Sequence, residues 1–164
     1  ECVAASMGAY AERLDSQDRD RWIIAGLLHD FDYERHPSAE EHPFVGVREL
    51  ERLGVDEDIR LAILGHALYS GIERETPMAK ALFAVDELSG FIVACAKVRP
   101  EGVATLEPKS VKKKLKDKSF AAAVSREDIA IGQDELGALT GLELDEHIRV
   151  CIGAIRGEAE RLGV

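Results

Sequence analysis

Cysteine is scarce in this chain and offers no cross-linked framework. The three cysteines lie at positions 2, 95 and 151, with no Cys-x-x-Cys pair among them. An odd number of widely spaced cysteines is typical of reduced thiols in a cytoplasmic protein. Long apolar runs and a secretory signal pattern are missing as well, so we expect neither a membrane partner nor export.

Basic residues are outnumbered by acidic ones. The chain has 21 Lys and Arg against 31 Asp and Glu, a formal net charge of −10, which argues against binding to a nucleic acid polymer. Its 164 residues are 46% hydrophobic and 32% charged, the composition of a globular protein with a substantial core. We predict a single domain over residues 1–164.

Alternation of polar and apolar residues with a period of two, which marks a half-buried strand, is also absent. Apolar residues recur at helical spacing instead, as at Val3, Met7 and Tyr10. We predict an all-α fold, a compact multi-helix bundle with no significant sheet. The predicted helices run from the chain start to a turn at Asp15–Asp20, from Trp22 to Leu28, from Pro43 to Gly54, from about Asp56 to Ser70, from Thr76-Pro77 to about Lys97, briefly from Ser110, from Ser125, and from about Glu143 through Leu162.

Four polar residues lie where the apolar pattern predicts burial. His29 and Asp30 end the apolar run of the second helix, and His66 and Asp86 fall on the inward stripes of later helices. A lone inward histidine is most often hydrogen-bonded in a core, and a lone inward aspartate usually forms a salt bridge or a cap. Four such residues within about sixty positions favour a shared cation, because divalent metals bind neutral imidazole and ionised carboxylate.

These residues belong to an ordered set of motifs that resembles the HD-domain superfamily of metal-dependent phosphohydrolases. A His-Asp pair ending an apolar helix, with an aspartate on a later helix, is the signature of that family. The similarity is closest to a small bacterial subgroup of predicted hydrolases, and it implies a metal-site core at about 1–98 and a C-terminal helical extension at about 99–164. The matching motifs are Gly26–Glu34, His42-Pro43 with Gly46, Gly65-His66, Ala84–Gly90, Val98–Pro100, Ser110–Lys114 and Leu144–His147.

The resemblance implies a set of metal ligands. His29, Asp30 and Asp86 match the family's primary ligands, and His42 and His66 match histidines that hold a second metal in its binuclear members, with Asp30 bridging. The implied cofactor is one or two divalent ions, and Mn, Fe, Co, Ni, Zn and Mg are not distinguished. The family also has a ligand histidine on its first helix, about two positions before Glu1. Because no histidine precedes His29, we expect that ligand upstream of Glu1 or an incomplete primary site.

Catalytic roles fall to Asp30 and Asp32. A neighbouring cation would keep Asp30 ionised. Asp32 has two interpretations, because it either orients a ligand imidazole or caps its own loop. His36 and His147 lie on no convincing inward stripe, so we expect both at the surface.

A lysine-rich segment supplies the candidate substrate-binding residues. Residues 109–118 contain six lysines and one aspartate, a net charge of +5. The segment is either a solvated helix face or a basic rim that attracts an anionic substrate. On the second interpretation we assign Lys112 and Lys113 to substrate binding, together with Lys97 and Arg99 near the end of the long helix.

We expect a phosphohydrolase that cleaves a phosphate ester of a nucleotide or similar small molecule with a metal-activated water. Two alternatives stay open. HD-like oxygenases use a di-iron centre bound by a comparable set of histidines and aspartates. A nucleotide-sensing protein with a decayed metal site would need no activity. The expected partner is a small phosphorylated substrate, and a homodimer is possible.

Overall fold

The computed structural model describes residues 1–14 and 17–164, and these residues form helices and connections without any strand. The all-α prediction is therefore confirmed. Asp15 and Ser16 of the predicted first turn lie outside the described residues. The helices are α1 (Cys2–Arg13), α2 (Arg19–Leu28), α3 (Phe44–Arg52), α4 (Glu57–Gly65), α5 (Pro77–Lys97), α6 (Pro108–Leu115), α7 (Arg126–Thr140), α8 (Leu144–Gly157) and α9 (Ala159–Leu162), with a 3-10 turn at Leu68–Ser70.

Helix α5 is the centre of the bundle. Its first turn is favoured by Pro77 at the start and by Thr76, whose hydroxyl accepts a hydrogen bond from the Ala79 amide at 3.1 Å. Most of its side chains are buried, because it packs against α1, α2, α4, α6, α7 and α8. Each large apolar side chain buried there stabilises the fold by roughly 1.5–3 kcal/mol. A helix apolar on most faces is the expected occupant of such a position.

A close approach of two backbones holds α1 against the end of α2. A Cβ atom on Gly26 would lie 2.8 Å from the Ala4 Cα atom. Glycine therefore lets the two helices pack more closely than any other residue would. The contact lies one helical turn before His29, so it anchors the segment that carries the His-Asp pair.

Several predicted helix boundaries need correction. The lysine-rich helix begins at Pro108 rather than Ser110, since proline suits the first helical position. The fourth helix ends at Gly65, and only a short 3-10 turn follows it. The predicted last helix is two helices that meet at Glu158. The cap at Ser125 is confirmed, because its hydroxyl accepts from the Asp128 amide at 3.1 Å.

One hydrophobic core joins helices from both parts of the chain, including residues from Val3 to Ile155. The division at about residue 98 stays a prediction. None of the helices in 1–14 and 17–164 has the length and apolar character needed to cross a membrane.

His147 was expected at the surface, and that expectation is wrong. Its side chain is buried between α1, α5 and α8, with 1% of the residue exposed. Its Nε2–H donates to the Ala84 carbonyl at 3.1 Å, and its Nδ1 accepts from the Tyr10 hydroxyl. Because both ring nitrogens find partners inside the bundle, the polar residue is tolerated in the core. His36 does lie near the surface, paired with Glu41.

Burial of His147 makes stability depend on pH. Burial lowers the pKa of His147 to about 4 in the folded protein, from an ordinary value of 6.5. Below pH 6.5 the unfolded chain binds a proton that the folded chain excludes, so stability falls as the pH drops from 6.5 toward 4. We expect this residue to remove about 2 kcal/mol of unfolding free energy between pH 7 and pH 5.

The measurement is urea unfolding at both pH values for the parent and for His147→Gln, each depleted of metal. Glutamine does not titrate, so the variant should lose less stability than the parent between pH 7 and pH 5. Equal losses in the two proteins would contradict the assignment.

Candidate metal centre

The end of α2 places the His-Asp pair. His29 is the C-cap of that helix, and its Nδ1 donates to the Gly26 carbonyl at 2.9 Å. This hydrogen bond satisfies a carbonyl that the helix leaves unpaired and turns Nε2 toward α5. Asp30 follows in the turn, where its side chain is half exposed. One residue is thus buried and oriented while the next faces solvent.

Asp32 orients His42 from behind. It is buried, and its Oδ1 accepts from His42 Nδ1 at 2.7 Å while its Oδ2 accepts from the Gly46 amide at 2.7 Å. The carboxylate therefore makes the contact that the first interpretation expected, and its second hydrogen bond goes to the first turn of α3 and not to its own loop. Asp32 does not belong to the described lining of the cleft discussed below, and its catalytic role stays a prediction.

His66 comes from the end of α4. As the C-cap of that helix it is buried, and its Nδ1 donates to the Ile63 carbonyl. Arg74 connects the end of α4 to α7. Its Nη1 donates to the Gly65 carbonyl at 3.0 Å, and its guanidinium forms an ion pair with Glu135 of α7. The position of His66 is therefore tied to α7 as well as to α4.

Five of the predicted site residues converge in two overlapping groups. In the first, His29 Nε2 lies 3.3 Å from Asp30 Oδ2 and 3.2 Å from Asp86 Oδ1. In the second, His42 Nε2 and His66 Nε2 lie 3.3 and 3.4 Å from Asp30 Oδ1. In each group one ligand atom from every residue lies within 4.8 Å of the others. Asp30 belongs to both groups, with one carboxylate oxygen facing each.

The chemistry of these donors fits a cation. All three histidines use Nδ1–H to donate to an oxygen, which leaves Nε2 as an unprotonated acceptor in the neutral ring. Each Nε2 then faces carboxylate oxygen, and His42 Nε2 also faces His66 Nε2 at 3.2 Å. Acceptors facing acceptors need a proton or a metal between them. Neutral imidazole and carboxylate suit Zn, Mn, Fe, Co and Ni.

The pKa values of His29 and Asp30 also indicate that the cluster stabilises a positive charge. Burial by itself lowers the pKa of His29, but hydrogen bonds with Asp30 and Asp86 outweigh it and raise the pKa to about 10. Burial raises the pKa of Asp30, but its hydrogen bonds with His29 and His66 outweigh that effect and hold the pKa well below its usual range. Without a metal, protons take the place of the missing cation.

The two groups open into a cleft of about 390 Å³. Four carboxylates belong to its lining, at Asp30, Asp86, Glu87 and Asp128, and the described lining contains neither lysine nor arginine. Burial raises the pKa of Glu87, with the charge of Asp86 as a further cause. The cleft is therefore strongly acidic and suited to cations. The described residues that line it are Asp30, Tyr33, His42, His66, Ala67, Leu68, Tyr69, Phe83, Asp86, Glu87, Gly90 and Asp128.

Reasoning from the sequence missed the aromatic walls of this cleft. Tyr33 packs its ring edge-on against His42, with ring centroids 5.1 Å apart, and Tyr69 is half exposed at the rim. Phe83 forms part of the lining and stacks on Arg74. Tyr33 lies within the motif around His29, which was the available signal. Tyr69 lies in the short connection after α4, where no helical or strand periodicity of apolar residues was available to indicate its position.

The four basic candidates lie elsewhere. Lys112 pairs with Asp145 of α8, and Lys113 and Arg99 line a separate pocket beyond the end of α5. Lys97 lines a third pocket near the C-terminus. Lys112 and Lys113 lie far from the His-Asp cluster because their helix, α6, packs against α5 and α8. Their part in substrate binding stays a prediction, and the structure places none of them in the cleft lining.

Comparison with known proteins identifies the family. A family model described as the HD domain matches residues 2–90, more than half of the chain. The chain belongs to the HD-domain family. The matched region contains all five converging residues. No curated protein and no solved structure matches the chain.

Membership of the HD-domain family implies a metal-dependent phosphohydrolase superfamily and divalent metal binding. The residues present fit such a metal, since this HD domain directs three imidazole Nε2 atoms and two aspartates at shared positions. Their assignment as ligands stays a prediction, as does the further histidine expected before Glu1.

Gly46 tests how the site is supported. A Cβ atom at this position would lie 2.7 Å from the Asp32 carboxylate, so Gly46→Ala should displace Asp32 and free the His42 ring. We expect metal affinity at the group that contains His42 to fall on the order of 10–100-fold, as is typical when support for a ligand is lost. Metal titration followed by calorimetry measures it.

The matched control is Gly153→Ala on α8, where an added Cβ atom meets nothing within 4 Å. Alanine should leave metal binding unchanged and stabilise α8 by about 0.5–1 kcal/mol at this exposed helical position. The same metal affinity in both variants would show that Asp32 does not position His42.

Proposed function

We propose that this HD domain hydrolyses a phosphate ester of a nucleotide or a similar small phosphorylated molecule. The observation that carries the proposal is the convergence of three histidine Nε2 atoms on the two carboxylate oxygens of Asp30. Asp86 adds a further carboxylate oxygen next to the Nε2 atom of His29. Bound there, one or two divalent ions would supply an acidified water and neutralise charge on a phosphoryl oxygen.

The protein's own residues prepare this chemistry by fixing ligand geometry. His29, Asp30 and Asp86 would hold one ion, and Asp30, His42 and His66 would hold a second. Carbonyls behind His29 and His66 and the carboxylate of Asp32 behind His42 keep each ring in the tautomer that presents Nε2. Little reorganisation is then needed when the ions and substrate bind.

The shape and charge of the cleft support a small substrate. A volume of about 390 Å³ matches a small-molecule pocket. Tyr33 and Tyr69 present aromatic surface at the rim, which is suited to stacking on a nucleobase. With no cationic side chain in the described lining, the phosphate charge must be balanced by the bound ions. A phosphomonoester, which carries less charge than a polyphosphate, fits that balance best.

Asp30→Ala is the principal test. The variant should lose bound metal and lose more than about 100-fold in hydrolysis of p-nitrophenyl phosphate and of a nucleoside monophosphate, because Asp30 contacts both groups. Helix content measured by circular dichroism should stay near that of the parent. Metal removal should lower the melting temperature of the parent and leave that of the variant unchanged.

Two results would favour the alternatives. Turnover that requires iron and consumes oxygen would support the di-iron oxygenase reading. A parent protein that binds a nucleotide but binds none of the six metals and hydrolyses no phosphate ester would support the nucleotide-sensing alternative with a decayed metal site. Hydrolysis that proceeds equally well without oxygen supports the phosphohydrolase.

Metal stoichiometry tests the second ion. If the parent binds two equivalents, His42→Ala and His66→Ala should each bind one, because each removes a nitrogen from the group at Asp30 Oδ1. His36→Ala is the control, since that histidine pairs with Glu41 near the surface. Plasma emission analysis of the dialysed proteins gives the count. A variant at His42 or His66 that still binds two equivalents would remove that residue from the site.

A further inference from the structure

A second pocket lies beyond the far end of α5, where that helix meets α6. It encloses about 490 Å³. The described lining of the pocket combines three cationic side chains with apolar residues and a single carboxylate. Its lining residues are Cys95, Val98, Arg99, Leu106, Ser110, Lys113, Lys114 and Asp117.

The cations of this pocket form no direct ion pair within the described ranges, and Asp117, the one carboxylate of the described lining, interacts with Lys114 only at longer range. Lys113 and Lys114 enter no ion pair in the described ranges, whereas the adjacent Lys112 pairs with Asp145. Lys114 instead lies over the Phe120 ring, with its Nζ 4.3 Å from the ring centroid. These charges stand out in a chain with a net charge of −10.

Arg99 is also incompletely satisfied. Its Nη2 donates to two neutral oxygens of Thr105, the carbonyl at 3.1 Å and the hydroxyl at 2.9 Å. Its Nε is buried and has no hydrogen-bond partner in the described structure. The one carboxylate of the lining, Asp117, accepts from the amide and the hydroxyl of Ser119. A buried guanidinium N–H without an acceptor is a feature that an anion would satisfy.

The pocket is separate from the metal centre. Asp86 and Lys97 are eleven residues apart on α5, a distance of about 16 Å at the helical rise, and Arg99 follows the end of that helix. The two cavities share no lining residue among those described. A small molecule bound at the His-Asp cluster would not extend this far, so an occupant of the basic pocket would be a second molecule.

We infer that this pocket binds the phosphoryl group of a small phosphorylated anion through Arg99, Lys113 and Lys114. Guanidinium and ammonium groups bind phosphate by charge-assisted hydrogen bonds, and the apolar lining residues Val98 and Leu106 would contact an apolar part of the ligand. The inference goes beyond the proposed hydrolysis and does not depend on it.

The competing explanation is a solvated helix face that attracts any anion without a site. The same segment provides a matched control. Lys109 and Lys118 are exposed and line neither this pocket nor the cleft. Replacing Lys109 and Lys118 removes the same charge from the same segment as replacing Lys113 and Lys114. If anions were attracted only by the overall charge of the segment, both double replacements would weaken anion binding equally.

The experiment is calorimetric titration of the full chain with inorganic pyrophosphate after metal removal on a chelating resin. The parent should bind one equivalent saturably, and Asp30→Ala should bind it equally well. Lys113→Gln/Lys114→Gln should bind at least about tenfold more weakly, and Lys109→Gln/Lys118→Gln should change affinity less than about twofold.

Three results would overturn the inference. These are no saturable binding by the parent, equal weakening in the two double variants, or binding that is lost in Asp30→Ala. The single Lys113→Gln variant changes an exposed side chain and provides a folded comparison if the double variant is unstable. Since every titration is metal-free, failure here leaves the proposed hydrolysis standing, and failure of the hydrolysis assay leaves this binding test unaffected.

Discussion

The sharing of one carboxylate by three imidazoles is the interaction on which this site depends. Asp30 directs one oxygen toward His29 and the other toward His42 and His66. In the neutral tautomers these contacts join acceptors to acceptors and are unfavourable without a positive charge between them. The bundle keeps these acceptor atoms close to one another because the Nδ1 atom of each imidazole donates a separate hydrogen bond that does not depend on the cation. The fold thus maintains an arrangement that only a cation or protons can complete.

The supporting contacts come from widely separated parts of the chain. Gly26 lets α1 press against the end of α2, and Gly46 leaves room for the carboxylate that positions His42. Arg74 connects the end of α4 to α7, while α5 carries Asp86 through the middle of the bundle. The central helix is buried on most faces, so its aspartate has little freedom to move. Rigid placement of the ligating side chains is what a preorganised metal site requires.

Charge is divided unevenly over the molecule. The cleft at the metal groups carries four carboxylates and, among the described lining residues, no lysine or arginine, whereas the pocket at the other end of α5 carries three cations and one carboxylate. A phosphate group would contact bound metal ions in the acidic cleft and lysine or arginine side chains in the basic pocket. On the two proposals made above, these environments would bind anions by different means, and only the first would depend on metal. The separation follows from the packing of α6 on α5 and α8 rather than on the His-Asp cluster.

The sequence alone determined the helical architecture, the family and the residues that converge. Helical spacing and caps such as Thr76 and Ser125 act within a few residues, and the spacing of His29, Asp30, His66 and Asp86 showed polar groups on apolar stripes. Periodicity, however, reports only that a face is buried and not which element covers it. Only the tertiary structure decided that His147 lies in the core against Tyr10, that Asp32 supports His42, and that the lysine segment stands apart from the cleft. Each of these depends on contacts between distant segments, which no local pattern encodes.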